Sequence, residues 1–231
     1  MPTQSNPITY KQIAIMFDHS LLQPILTDSE IKIGCEMANE YSVATVCVKP
    51  YAVKMAKQIL KNSTVKVSTV IGFPHGGHLT SIKCKEIDEA VNEGAEEFDA
   101  VVNIGKVLSE DWGYVKDEID QLVERAHHYH KIIKIIFENC FLKDSHKEKL
   151  CNICGTARAD FVKTSTGYGE TGATDHDLEL MRRFSPSWVQ VKAAGGVRDF
   201  DRVLAVRQLG VSRIGSTSTK SILDTCKKRL G

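Results

Sequence analysis

The chain has almost no excess charge of either sign: 30 lysines and arginines stand against 29 aspartates and glutamates, a formal net charge of +1 over 231 residues. A broad electropositive field of the kind that holds nucleic acid or an anionic membrane is therefore excluded, and any anionic partner must be met by a local site. No run of about 18 uncharged apolar residues occurs, so no membrane-spanning helix is expected. The first twenty residues, Met1 to Ser20, mix polar and charged side chains and do not read as a signal peptide. A cytoplasmic protein acting on a small molecule is expected.

Other absences narrow the class further. The seven cysteines are odd in number and scattered, which argues against a disulfide framework in a chain long enough to build its own core. Cys151-x-x-Cys154 has neither a second such pair nor a His-x3-5-His partner, and the same spacing puts both thiols on one helix face, so no metal is expected. The run His127 to His130 follows a charged helical stretch and reads as a solvated helix end. No Gly/Ser/Pro-rich linker divides the chain, and with 42% hydrophobic residues it reads as a single domain over residues 1–231.

What is present is a repeat of short apolar, β-branched runs: Met16-Phe17, Ala44 to Val48, Val65 to Phe73, Phe98 to Val102, Ile132 to Phe137, Phe161-Val162, Val189 to Val191 and Arg213 to Gly215. Their C-terminal ends are 23 to 34 residues apart, the length of a βα unit. Helical patterns fill the intervals. Thr27-Asp28-Ser29-Glu30 is a capping box leading into Ile31, Cys35 and Ala38 on one face, and Leu79 to Glu93, Tyr114 to His127 and Asp175 to Phe184 are further examples. Eight alternating units point to α/β architecture as a (β/α)8 TIM barrel. The rival, a doubly wound open sheet, lacks a G-x-G-x-x-G turn after its first strand.

In such a barrel, residues at strand C-termini line the mouth. Lys163 ends Asp160-Phe161-Val162-Lys163 and Lys192 ends Val189-Gln190-Val191-Lys192, on consecutive strands. Either lysine alone reads equally as one that snorkels to solvent. Two ammonium groups in a closed mouth repel, and one then sheds its proton more readily. A lysine near its ordinary pKa of about 10.4 is neutral in only about 0.04% of molecules at pH 7; a depression of about 3 units, roughly 4 kcal/mol, raises that to about a quarter. A neutral amine adds to a carbonyl to give an imine. Asp99, inside an apolar strand, and Asp18-His19, closing the first, are proton carriers or structural ion-pair partners of a lysine, and Glu138 carries the same ambiguity. Gly195-Gly196-Val197-Arg198 and Gly215-Ser216-Thr217-Ser218 follow the seventh and eighth strands, where backbone amides and a helix N-terminus hold phosphate.

These segments, with Phe17 to Leu22, Val46 to Val48, Val70 to Pro74, Asp99 to Gly105 and Asp160 to Gly167, resemble the deoxyribose-phosphate aldolase family in order along nearly the whole chain. The resemblance implies a TIM-barrel class I aldolase without metal or cofactor, reversibly joining acetaldehyde to glyceraldehyde 3-phosphate. It implies that Lys163 forms the Schiff base, Lys192 perturbs it, Asp99 activates a water, and Asp18 holds Lys192. It puts Cys47 in the aldehyde pocket, where an electrophilic enal would trap it, and makes Thr164, Gly167, Gly195, Gly196, Gly215, Thr217 and Ser218 substrate-binding, the last group toward phosphate. A homodimer is the family's habit.

Three departures limit the match. Lys49 adds a third cation near the mouth, with an expected effect on substrate preference. The sequence ends at Arg229-Leu230-Gly231, whereas some members have a longer tail with a tyrosine that assists proton transfer. Gly167-Tyr168-Gly169 lacks the lysine some members place there, so weaker phosphate affinity is expected. Two alternatives share the pattern: a Schiff-base barrel aldolase with another acceptor, and a non-catalytic sugar-phosphate-binding barrel.

Overall fold

The computed structural model describes residues 8–230. The order is α1 (Tyr10–Ala14), β1 (Phe17–Leu21), α2 (Asp28–Glu40), β2 (Thr45–Val48), α3 (Val53–Ile59), β3 (Lys66–Ile71), α4 (Thr80–Glu93), β4 (Glu97–Val101), α5 (Ile104–Leu108), α6 (Trp112–His128), β5 (Ile132–Ile136), α7 (Asp144–Ala157), β6 (Phe161–Lys163), α8 (Asp175–Phe184), β7 (Gln190–Ala194), α9 (Phe200–Gln208), β8 (Val211–Ser216) and α10 (Thr219–Leu230). The strands form a closed parallel barrel in sequence order, sealed where Asp18 of β1 pairs with Gly215 of β8.

All eight expected strands are present, and so are the four expected helices. α8 has the bounds read from sequence, starting under the Thr174 cap, with Asp175 and Asp177 in its first turn and Arg182 and Arg183 in its last, as the helix dipole favours. The Thr27–Glu30 capping box forms as read: the Thr27 amide donates to Glu30 at 2.8 Å, and Ile31, Cys35 and Ala38 turn inward. α6 ends at the histidine run, and Cys151 and Cys154 are buried on α7 as free thiols. The first strand runs three residues past the Asp18 end read for it, and β7 and β8 extend to Ala194 and Ser216. The reason is physical: His19, Ser20 and Ser216 are polar where an apolar run was sought, and in β7 the charge of Lys192 interrupts the run before Ala193 and Ala194.

Two kinds of core result. Outward-facing strand residues such as Val46, Val67, Phe98, Ile133 and Ile214 pack with helix residues such as Ile87, Ile119, Leu122 and Met181 into one hydrophobic ring between sheet and helices. Inside the barrel, where branched apolar residues dominate in most members of this architecture, the strands send in Asp18, Thr45, Ser68, Glu97, Asp99, Lys134 and Lys192, each at most 1% exposed. A small apolar patch, Leu22, Cys47 and Val70 with Phe73, stands apart from the ring.

A buried ion pair braces β4 from outside. Lys83 of α4 donates to the Val101 carbonyl at 2.8 Å and to Glu118 of α6 at 2.7 Å, and Glu118 accepts the Asn103 amide at 2.8 Å. Removing one partner of such a pair strands a buried charge. Lys83→Ala is expected to lower unfolding stability by about 3–5 kcal/mol, measured as a shift in the urea midpoint, and Lys83→Met combined with Glu118→Leu to recover most of that loss.

Candidate active site

The C-terminal ends of the strands open into a cavity of about 420 Å³. Lys163 and Lys192, paired side by side in the β6–β7 register, both project into it. Their ammonium nitrogens share one oxygen: Lys163 Nζ lies 2.7 Å from Asp99 Oδ2, and Lys192 Nζ lies 2.7 Å from the same atom. Lys192 is also bonded to Asp18 Oδ2. The outward-snorkelling alternative therefore does not describe these lysines, which are 3% and 1% exposed.

Beneath them the ionic network continues down the barrel axis. Lys134 of β5 pairs with Asp99 Oδ1 at 2.9 Å and Glu97 Oε2 at 2.7 Å, and lies 3.8 Å from Asp18 Oδ2. Arg213 of β8 donates to Asp18 Oδ1 at 2.6 Å and Glu97 Oε2 at 3.1 Å. Four cations thus face three carboxylates, and the shares are unequal. Lys134 touches three carboxylates; Lys192 and Arg213 each touch two; Lys163 touches Asp99 alone.

The proton affinities follow from these shares. Burial holds Lys163 below the usual lysine range, the Lys192 ammonium adding to the effect while Asp99 opposes it. Burial works against the charge of Lys192 too, but Asp18 and Asp99 outweigh it and hold that lysine above the range. Lys134 is raised in the same way, burial being overcome by Asp99, Glu97 and Asp18. For Asp99, burial is overcome by Lys134, Lys163 and Lys192, so the carboxyl stays well below the usual range and is ionised. One amine, Lys163, is the place where a proton is most easily lost.

Around the amines, Cys47 and Gly167 line the wall, as do Gly195, Gly196, Gly215, Thr217 and Ser218 toward the loops after β7 and β8. Gly195 and Gly196 have φ of +78° and +87°, a backbone that side-chain-bearing residues rarely adopt. The loop after β6 lies against this turn so closely that a Cβ on Gly172 would meet the Gly195 carbonyl carbon at 2.4 Å, and the Ala173 amide donates to the Ala194 and Gly195 carbonyls. The Ser216 hydroxyl donates to the Val197 carbonyl and accepts the Ser218 amide, joining the turn to the start of α10.

Three residues singled out from the sequence, Thr164, Lys49 and Glu138, stand outside the cavity wall. Thr164 does not line the cavity: its hydroxyl donates to the Ala194 carbonyl and accepts the Ala194 amide, both at 3.1 Å, and so ties β6 to β7. Lys49 stands at the rim: its ammonium donates to the Gln23 and Leu26 carbonyls at 3.0 and 3.3 Å, and Gln23 itself lines the cavity. Glu138 serves structure, accepting the Thr166 amide and hydroxyl beneath the β6 loop.

The sequence reading missed Lys134, Arg213 and Glu97, although each is a charge inside a strand, the signal that singled out Asp99. It also left Tyr168 and Arg198 without a place in the site. Tyr168 lines the cavity, its hydroxyl donating to the Leu22 carbonyl at 3.0 Å and its ring edge-on to Phe73 at 5.6 Å. Arg198 lines the same cavity and brings a cation near the Gly195-Gly196 turn.

The sequence profile of the DeoC/LacD family aldolases matches residues 12–222. A deoxyribose-phosphate aldolase of Rhodopirellula baltica is 51% identical, over 96% of this chain and 92% of that protein. One of Caldanaerobacter subterraneus subsp. tengcongensis is 44% identical, covering 94% of each. Among solved structures, the deoxyribose phosphate aldolase from Aeropyrum pernix, described as a unique tetramer, superposes with a TM-score of 0.88 at 26% identity, covering 96% of this chain and 93% of that one.

The Cys47 thiol is pushed up to about 11 chiefly by burial, so its reactive thiolate is scarce at pH 8. Treatment with iodoacetamide at that pH is expected to modify the half-buried Cys140 well before Cys47, as read by peptide mass mapping over time.

Proposed function

The chain belongs to the DeoC/LacD family of aldolases, and we propose that it reversibly cleaves 2-deoxy-D-ribose 5-phosphate to acetaldehyde and D-glyceraldehyde 3-phosphate through an imine on Lys163. The observation that carries the reading is the sharing of Asp99 Oδ2 by two buried lysines, of which Lys192 has a further carboxylate, Asp18, to hold its proton.

In the cleavage direction, the Lys163 amine adds to the substrate C1 carbonyl, giving a carbinolamine. The carbinolamine hydroxyl takes a proton relayed from solvent while the Lys192 ammonium donates a hydrogen bond to it, leaves as water, and the nitrogen lone pair closes the protonated imine. Asp99, ionised and bonded to both nitrogens, relays the proton between them and solvent. The C3 hydroxyl then gives its proton through water to Asp99 and the C2–C3 bond breaks, its electron pair moving into the protonated imine to leave an enamine. Glyceraldehyde 3-phosphate departs. Protonation of the enamine carbon and addition of water return acetaldehyde and the free amine. Phosphate is held by the Gly195-Gly196 turn and by Thr217 and Ser218 at the start of α10, where backbone N–H groups favour an anion, with Arg198 nearby. Metal chemistry is not required for any of these steps.

The protein works in the cytoplasm in this reading, and the described residues contain no helix long and apolar enough to cross a membrane. The assembly expected is a homodimer, which light scattering on the purified protein measures directly.

Borohydride reduction in the presence of acetaldehyde is expected to leave an N-ethyl group on Lys163 and on no other lysine. Lys163→Arg is expected to lower kcat by at least about 10³-fold. The sign of the pH dependence follows from the lowered Lys163: activity falls as pH drops and the amine gains its proton, with the half-fall below the ordinary lysine value of about 10.4. Label on another residue, or a rate that climbs through pH 10, contradicts the reading.

A further inference from the structure

We propose that Arg213 and Glu97, at the end of the barrel opposite the mouth, are positioning residues that set the proton affinity of Lys163 from below, Arg213 lowering it and Glu97 raising it. The proposal rests on the reading that Lys163 is the imine-forming amine.

Neither residue lines the mouth cavity. Both line a separate cavity of about 730 Å³ at the strand N-termini, with Tyr10, Ala44, Thr64 and Lys66. Substrate in the mouth therefore touches neither, and anything they do to the reaction passes through the ions between. Among the described residues, the titratable or charged groups in that file are Asp18 from β1, Cys47 from β2, Glu97 and Asp99 from β4, Lys134 from β5, Lys163 from β6, Lys192 from β7 and Arg213 from β8. The rear cavity adds Lys66 from β3 and Tyr10 and Lys11 from α1. The Phe161 ring covers the side of Arg213, its centroid 5.4 Å from the guanidinium carbon.

The effect travels by competition for oxygens. Arg213 occupies Asp18 Oδ1, which leaves Lys192 with the other oxygen of Asp18 and with Asp99 Oδ2. Without the guanidinium, Asp18 draws Lys192 more strongly, Asp99 is released toward Lys163, and the Lys163 ammonium is favoured. Direct Coulomb interaction has the same sign, since a cation is removed from a file of four cations and three carboxylates, and the remaining charges then balance with Lys163 protonated. Glu97 acts oppositely. It shares Lys134 with Asp99, so without it Lys134 leans on Asp99 and competes with Lys163.

The test is the pH profile of kcat/KM, together with the pH dependence of borohydride trapping by acetaldehyde, for the wild type, Arg213→Gln, Arg213→Lys and Glu97→Gln. Arg213→Gln is expected to move the acid limb up by about one pH unit, a roughly tenfold loss on that limb that is recovered at high pH. Glu97→Gln is expected to move it down. Arg213→Lys, which keeps the charge, is expected to keep the limb in place. A merely structural role would scale the whole profile without moving it. If Arg213→Gln fails to fold, the opposite shift in Glu97→Gln decides the matter. Limbs that superpose on the wild type, or that move the same way in both glutamine variants, overturn the proposal. Wild-type trapping elsewhere than Lys163 removes the reading beneath it, whereas trapping at Lys163 with unmoved limbs removes the proposal alone.

Discussion

One carboxylate oxygen, Asp99 Oδ2, accepts from two lysines, and the site follows from that shortage. Burying ions costs several kcal/mol each unless their partners are close and well placed. A barrel axis filled with hydrocarbon would be simpler to stabilise. Here the axis carries four cations and three carboxylates, and the unmet share falls on one of the two lysines that line the mouth. Stability and reactivity therefore meet at one point. The neighbours that hold the other lysine charged are those that leave Lys163 as the weakest base among the buried lysines of the file.

The scaffold is arranged to hold this division in place. β4, which carries both Glu97 and Asp99, is clamped from behind by Lys83 and Glu118. β6 and β7, which carry the two lysines, are locked together by the Thr164 hydroxyl at Ala194. Arg182 donates to the carbonyls of Ser185, Pro186 and Val189 and fixes the approach of the chain into β7. The loops after β6, β7 and β8 are tied to one another rather than left to solvent, through Ala173, Gly172 against Gly195, and Ser216. Groups that must meet within a few ångströms thus sit on strands, and the loops between them have little freedom to drift.

Much of this was legible in the sequence, and the exceptions share a cause. The alternation of apolar runs with capped helices marks eight units because the ring between sheet and helices is conventionally hydrophobic, as Val46, Phe98 and Ile133 show. Lys163, Lys192 and Asp99 are visible because each interrupts an apolar strand at or near its mouth end. Lys134 interrupts Ile132 to Ile136 just as plainly, but its meaning depends on which way the side chain points and on what the far strands send in to meet it. Arg213 reads as a strand start. The placing of Thr164 as a strand lock and of Lys49 as a rim brace turns on hydrogen bonds to backbone groups of distant residues. No spacing rule carries that information.

The most direct measurement of the central claim is the titration of individual lysine side-chain nitrogens by NMR in protein labelled at lysine, with Lys163 assigned by the signal lost in Lys163→Arg. The account predicts that Lys163 passes from ammonium to amine below the ordinary lysine range while Lys192 and Lys134 remain ammonium throughout. A Lys163 that keeps its proton as long as exposed lysines do, or a Lys192 that loses its proton first, would contradict it.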